Sequence, residues 1–145
     1  VPVPNCFVTA LLAAALIAVK VAGTAVPVPM PEPEPEWLPY EATAYTANCR
    51  GCSGITAAGI DVRHTINDED GRRIIAVDPK VIPLGTVIEI RLSDGTVIDG
   101  VAADKGGAIK GQKVDVLHKT RKEALEFGRQ MVELRIINNG GNANE

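Results

Sequence analysis

Between residues 40 and 137 the apolar positions recur mainly with a period of two, the spacing of strands that bury one face. In Tyr40–Thr46, Ala42, Ala44 and Thr46 alternate with Glu41, Thr43 and Tyr45. Ile74-Ile75-Ala76-Val77 is a short apolar run closed by Asp78-Pro79. Thr86–Leu92 and Thr96–Ile98 flank Ser93-Asp94-Gly95 and predict a β-hairpin turning on Asp-Gly. Val101–Ala103 continues as a strand to Asp104, and Val114–Leu117 is another. Met131–Ile137 closes the series, with Val132, Leu134 and Ile136 set against Glu133 and Arg135.

One segment breaks this rhythm. Thr120-Arg121-Lys122-Glu123 is a capping box, Ala124, Leu125 and Phe127 supply an apolar face, and Gly128 is placed to end a short helix. Six or so short strands with one short helix do not make a doubly wound α/β fold. The pattern predicts a mainly β protein, a small closed barrel, because closure removes the edges that short strands would otherwise expose. Residues 138–145 are Asn/Gly-rich and read as a flexible tail.

The first 39 residues follow different rules. Cys6–Val19 carries no charge, and as a helix its 14 residues rise roughly 21 Å, short of a ~30 Å hydrocarbon core. Lys20 can snorkel and Val21–Val26 can extend the span, while Gly23-Thr24-Ala25 offers small residues for cleavage. Residues 1–26 are therefore expected to be a signal peptide or membrane anchor, although the usual basic leader is missing. Residues 27–39 alternate proline with other residues, which favours polyproline II and predicts a stiff linker roughly 40 Å long at ~3.1 Å per residue. Trp37 at its end is expected to anchor the linker to the domain that follows. That domain spans residues 40–137, and an exported location follows from the N-terminal reading.

Composition narrows the function. The chain of 145 residues has 15 basic and 18 acidic side chains and only 3% aromatic residues. Lys20, Glu32, Glu34 and Glu36 precede residue 40, so residues 40–145 carry 14 basic and 15 acidic groups. Such a domain offers neither the electrostatic footprint nor the stacking platforms of a nucleic-acid binder. Cys49-Arg50-Gly51-Cys52 has no second pair to complete a zinc site, and neither His64 nor His118 sits at ligand spacing. An exported domain would use the pair as a short disulfide. Asp68-Glu69-Asp70-Gly71 lacks the spacing and final Glu of a calcium loop. No metal or organic cofactor is expected.

Three aspartates stand out. Asp78 and Asp104 end apolar strands, and Asp115 lies between Val114 and Val116. A solvated carboxylate is not normally placed there. Asp104 and Asp115 also bracket Lys105-Gly106-Gly107-Ala108-Ile109-Lys110-Gly111-Gln112-Lys113-Val114, whose glycines permit close backbone approach to a polar ligand. Carboxylates gathered at strand ends raise at least one pKa through desolvation and mutual repulsion, as a general acid requires.

Gly54-Ile55-Thr56-Ala57-Ala58-Gly59, Ala76–Thr86 and Asp104–Asp115 together resemble the 3D domain, named for three aspartates, over roughly residues 42–137. The Gly-Gly-Ala-Ile-Lys-Gly loop is shared with the membrane-bound lytic transglycosylase A family. The resemblance implies a six-stranded double-psi β-barrel that cleaves peptidoglycan glycan strands. It implies an acid/base role for Asp115, with Asp104 and Asp78 polarising it and fixing substrate. It also implies substrate contacts from Thr56, Gly106, Gly107 and Lys110. In a lytic transglycosylase the 6-hydroxyl of N-acetylmuramic acid replaces water as nucleophile, so one dominant carboxyl can suffice. The alternative is a barrel that binds wall glycan without cutting it.

Overall fold

The computed structural model describes Gly23 and residues 28–138. Apart from Gly23, the expected signal or anchor segment (residues 1–26) lies outside them, as does the expected tail after Asn138. The chain divides into Val1–Glu32 and Pro33–Glu145. Among the described residues, no helix is long and apolar enough to cross a membrane.

Six strands and one helix follow in chain order: β1 (Leu38–Thr46), β2 (Arg73–Val77), β3 (Val87–Arg91), β4 (Val97–Lys105), β5 (Lys113–His118), α1 (Arg121–Phe127) and β6 (Gln130–Asn138). They close into a barrel in the order β1-β5-β2-β4-β3-β6. β1 runs parallel to β5 and β2 parallel to β4; the other neighbours are antiparallel. Parallel pairs need crossover connections, which give the crossed path expected of a double-psi barrel.

Local sequence explains the elements. The β3–β4 hairpin turns at Asp94-Gly95, where the Thr96 N–H donates to Asp94 Oδ1 at 2.8 Å. Both halves of the capping box form at α1, and Gly128 (φ 63°) ends the helix with its N–H on Ala124 O. The apolar face expected of α1 is thin: Leu125 is 69% exposed and no residue of the helix is fully buried. A helix of two turns lying beside a barrel already closed on itself has little surface to cover.

Two apolar cores result. The first draws on all six strands, including Tyr40, Ala42, Ile75, Val77, Ile88, Ile90, Ala102, Val114, Val116, Val132 and Leu134, and so fills the barrel lumen. The second contains Ile74, Val101, Ala103 and Leu117, whose side chains alternate with lumen residues and therefore point outward, packed with Val62, Ile60 and Ile66. The segment between β1 and β2 makes this outer core. Its Ala58 N–H donates to Ala103 O and Ile66 O accepts from Ile74, both at 2.9 Å.

Residues 28–37 adopt no regular element, and β1 takes up Leu38 and Pro39 from the expected linker. The Trp37 ring lies beneath the guanidinium groups of Arg91 (4.2 Å) and Arg135 (4.6 Å), which docks the end of the proline-rich stretch on β3 and β6. Those arginines pair with Glu133 and Glu89 across the same strands.

Candidate functional site

The outward face of β1, β5, β2 and β4 carries a row of four residues in register: Thr43 opposite Asp115, Asp115 opposite Ala76, and Ala76 opposite Asp104. Neighbouring strands lie about 4.8 Å apart, so the backbones of the two aspartates are separated by roughly 10 Å. Ala76 keeps the space between them clear of a large side chain and is itself buried. A register shift between Ile75 and Ala76 brings Asp104, rather than Ala103, level with Ala76. Bulges commonly re-aim a side chain in this way beside functional sites.

Asp115 is half-buried, and the Thr43 hydroxyl donates to its Oδ1 at 3.0 Å. Burial pushes its carboxyl above the usual range; the Thr43 hydrogen bond and the nearby His118 pull the other way, and the Asp104 charge adds a smaller upward push. Desolvation by burial is thus the first cause, ahead of repulsion between like charges.

Asp104 is tied down from three sides. The Tyr45 hydroxyl donates to Oδ2 at 2.9 Å, and the N–H groups of Ala57 (3.0 Å) and Lys105 (2.9 Å) donate to Oδ1. Burial first, then the charge and hydrogen bond of Asp104 and the charge of Asp115, drive the Tyr45 phenol far above its ordinary value, so it stays a donor. Tyr45 and Asp104 open on a cleft of about 220 Å³ also walled by Ser53, Gly54, Ile55 and Lys105.

Asp78 does different work. Only 7% exposed, it accepts the Gly111 N–H on Oδ2 (3.0 Å) and the Lys80 N–H on Oδ1 (3.1 Å). These bonds, Gly111 first, hold its carboxyl below the usual range, aided by the Lys110 and Lys80 charges. Asp78 is not among the charges acting on Asp115. It fastens the end of the glycine-rich loop to the end of β2.

The remaining predicted contacts divide. Thr56 is buried, and its hydroxyl accepts the Ile60 N–H at 3.0 Å, closing the turn that presents Ala57 to Asp104. Gly106 is needed sterically, since a Cβ there would lie 2.9 Å from Ile109 Cγ1; a Cβ on Gly107 meets nothing within 4 Å. Lys110 is exposed. Cys49 and Cys52 are joined as a disulfide across a turn closed by the Cys52 N–H on Cys49 O at 3.0 Å. Among the described residues, no group of three or more His, Cys, Asp or Glu is arranged to hold a metal ion.

Sequence reasoning missed Thr43, Tyr45, His118 and the Ala57 N–H. The alternation in β1 already puts Thr43 and Tyr45 on one face. Nothing local says that this face meets Asp115 and Asp104, which are 72 and 59 residues away. His118 shares a strand with Asp115, with Nδ1 2.9 Å from Val116 O and its ring 4.9 Å from that of Phe127.

Residues 73–138 match the 3D domain family, a span running from β2 to the end of β6 that includes Asp78, Asp104 and Asp115. Residues 42–72, part of the resemblance seen in the sequence, fall outside that match. Cell wall-binding protein YocH of Bacillus subtilis is 43% identical over 101 residues, covering 70% of this chain and 32% of that one. The SPbeta prophage-derived protein YorM of the same organism is 45% identical over 94 residues, covering 64% of this chain and 39% of its own. The chain therefore spans well under half the length of these relatives. Among solved structures, MltA from Escherichia coli aligns with a TM-score of 0.44 at 24% identity, over 59% of this chain and 27% of that one.

Proposed function

On the premise that the chain carries a 3D domain, we propose that it is a peptidoglycan lytic transglycosylase acting outside the cytoplasm, in wall remodelling or in phage-mediated wall degradation. The observation that carries the reading is the half-buried Asp115, kept reluctant to ionise by burial and in register with Asp104, which opens on a polar cleft. A carboxyl whose pKa is raised by burial keeps its proton to higher pH than an ordinary one, which favours protonation of a glycosidic oxygen.

In the proposed reaction the neutral Asp115 donates its proton to the oxygen bridging N-acetylmuramic acid and N-acetylglucosamine, and the bond from that oxygen to the muramic C1 breaks. The resulting carboxylate takes the proton of the 6-hydroxyl as O6 bonds to C1. The product is the 1,6-anhydro sugar, and Asp115 returns to its starting state. Holding the hydroxyl in place makes the attack intramolecular, an advantage of up to about 7–11 kcal/mol when aligned. Thr43 holds Oδ1, which turns the other oxygen toward substrate and stabilises the carboxylate formed midway. Asp104, held in place by Tyr45 and Ala57, faces the developing positive charge on C1. Asp78 positions the loop of Gly106, Gly107 and Lys110 over the glycan, and Thr56 shapes the turn carrying Ala57. Residues 6–26 would serve export or anchoring.

A second reading, a glycan-binding barrel without catalysis, draws support from the wall-binding description of YocH. Purified protein incubated with cell walls separates the two. Anhydro-muropeptides detected by mass support the transglycosylase, reducing-end products indicate hydrolysis, and retention on walls without release supports the binder. Asp115→Asn is expected to lower anhydro product by roughly 10²–10⁴-fold while circular dichroism and wall retention persist. Full activity in that variant overturns the assignment.

A further inference from the structure

Beside the acid cleft, a second recess of about 390 Å³ is walled by Asn48, His64, Asn67, His118 and Lys119. Ala47 and Val62 line both cavities, so the two adjoin past the end of β1. No acidic side chain lines the recess. Arg63, also on its wall, is matched by Asp61. Among the described residues, His64, His118 and Lys119 make no ion pair. The His118 Nδ1 is committed to Val116 O, which leaves Nε2 for a ligand. The recess thus combines Lys119 and two imidazoles outside any ion pair, two side-chain amides and an apolar wall of Ala47, Val62 and Ile66. That is the chemistry of a site for a short peptide with small side chains and free carboxylates.

We propose that this recess binds the acidic peptide carried by the muramic acid sugar, a reading that rests on the glycan-cleaving function above. In peptidoglycan that peptide branches from the sugar whose bond is cut, so a peptide site must adjoin the acid. The recess meets that requirement through His118, which lines it and stands close enough to act on the Asp115 carboxyl, while Ala47 and Val62 join it to the Asp104 cleft. The amides and the apolar wall favour a peptide over the phosphates of an anionic wall polymer, which would use the basic groups alone.

The ¹⁵N-labelled full chain is titrated with the free tetrapeptide L-alanyl-γ-D-glutamyl-meso-diaminopimelyl-D-alanine and, separately, with an oligomer of glycerol phosphate. The peptide is expected to shift the His64 and His118 imidazole resonances, and His64→Gln with Lys119→Gln to weaken its binding about tenfold. In parallel, turnover of peptide-bearing glycan is compared with that of glycan stripped by an amidase. The preference for the peptide-bearing form is expected to fall about tenfold in the double variant. Absence of peptide-induced shifts, or shifts with the phosphate oligomer alone, overturns the proposal, even if both glycans are cleaved. Peptide binding without cleavage of either glycan upholds the recess and sinks the transglycosylase reading instead.

Discussion

Ile74 and Ile75 are consecutive, chemically identical and both fully buried, yet they serve different parts of the molecule. Ile75 points into the lumen, where residues from every strand surround it. Ile74 points outward, under a covering segment that is mostly turns and isolated bridges. The lumen is walled by a closed hydrogen-bonded cylinder; the outer core is roofed by a loop. The acidic row lies on the outer face, where the roof reaches it through the Ala57 N–H on Asp104. Stability and chemistry are divided between the two faces of the same strands.

Truncation on each side is the sharpest way to break this comparison. Ile75→Ala should leave a cavity that a closed wall cannot fill, with a loss near the top of the about 2–5 kcal/mol range for such changes. Ile74→Ala should cost nearer the bottom of that range, because the roof can settle. Denaturant melts give both figures. Activity should reverse the order of injury: per unit of stability lost, Ile74→Ala should harm turnover more, since it disturbs the roof that brings the Ala57 N–H to Asp104. Equal ratios for the two variants would dissolve the distinction.

Asp115 and Asp78 sharpen it through pH. Folding raises the Asp115 pKa, so stability falls as pH climbs from the ordinary carboxylate value through the folded one. Asp115→Asn should flatten that fall in melting temperature. Folding lowers the Asp78 pKa, so its contribution is present above the ordinary value and is lost as pH drops through the folded one. Asp78→Asn should remove that acid-side loss and speed amide exchange at Gly111.

A subtler change is Thr43→Val. Losing the hydroxyl removes a bond that favours the ionised Asp115, so the pH at which the acid form is lost should move upward in the rate profile. A downward move would mean that the hydroxyl had been stabilising the protonated acid rather than the carboxylate. The smallest expected effect lies on the far side of the barrel. Trp37→Ala should cost about 1 kcal/mol or less and leave turnover unchanged, because the two arginines above the ring stay paired with Glu89 and Glu133. As Trp37 is the chain's one tryptophan, its fluorescence reports linker docking directly.

Strand positions, the Asp-Gly hairpin, the capping box and the candidate aspartates are all local patterns, and each was legible in the sequence. Side-chain alternation and turn chemistry are decided within a few residues. The apolar run Ile74–Val77 marked a short strand, and its lack of alternation reflects burial on both faces. What was not legible was partnership. Only parallel pairing of β1 with β5 and of β2 with β4 places Thr43 on Asp115 and Tyr45 on Asp104. The same pairing separates the three aspartates into a half-buried carboxyl, a carboxyl tied by three hydrogen bonds and a loop anchor. An Asp between two valines says that a carboxyl is held in an apolar strand. Whether it is desolvated depends on which distant strands and side chains the closed barrel packs around it, and long-range packing alone makes that decision.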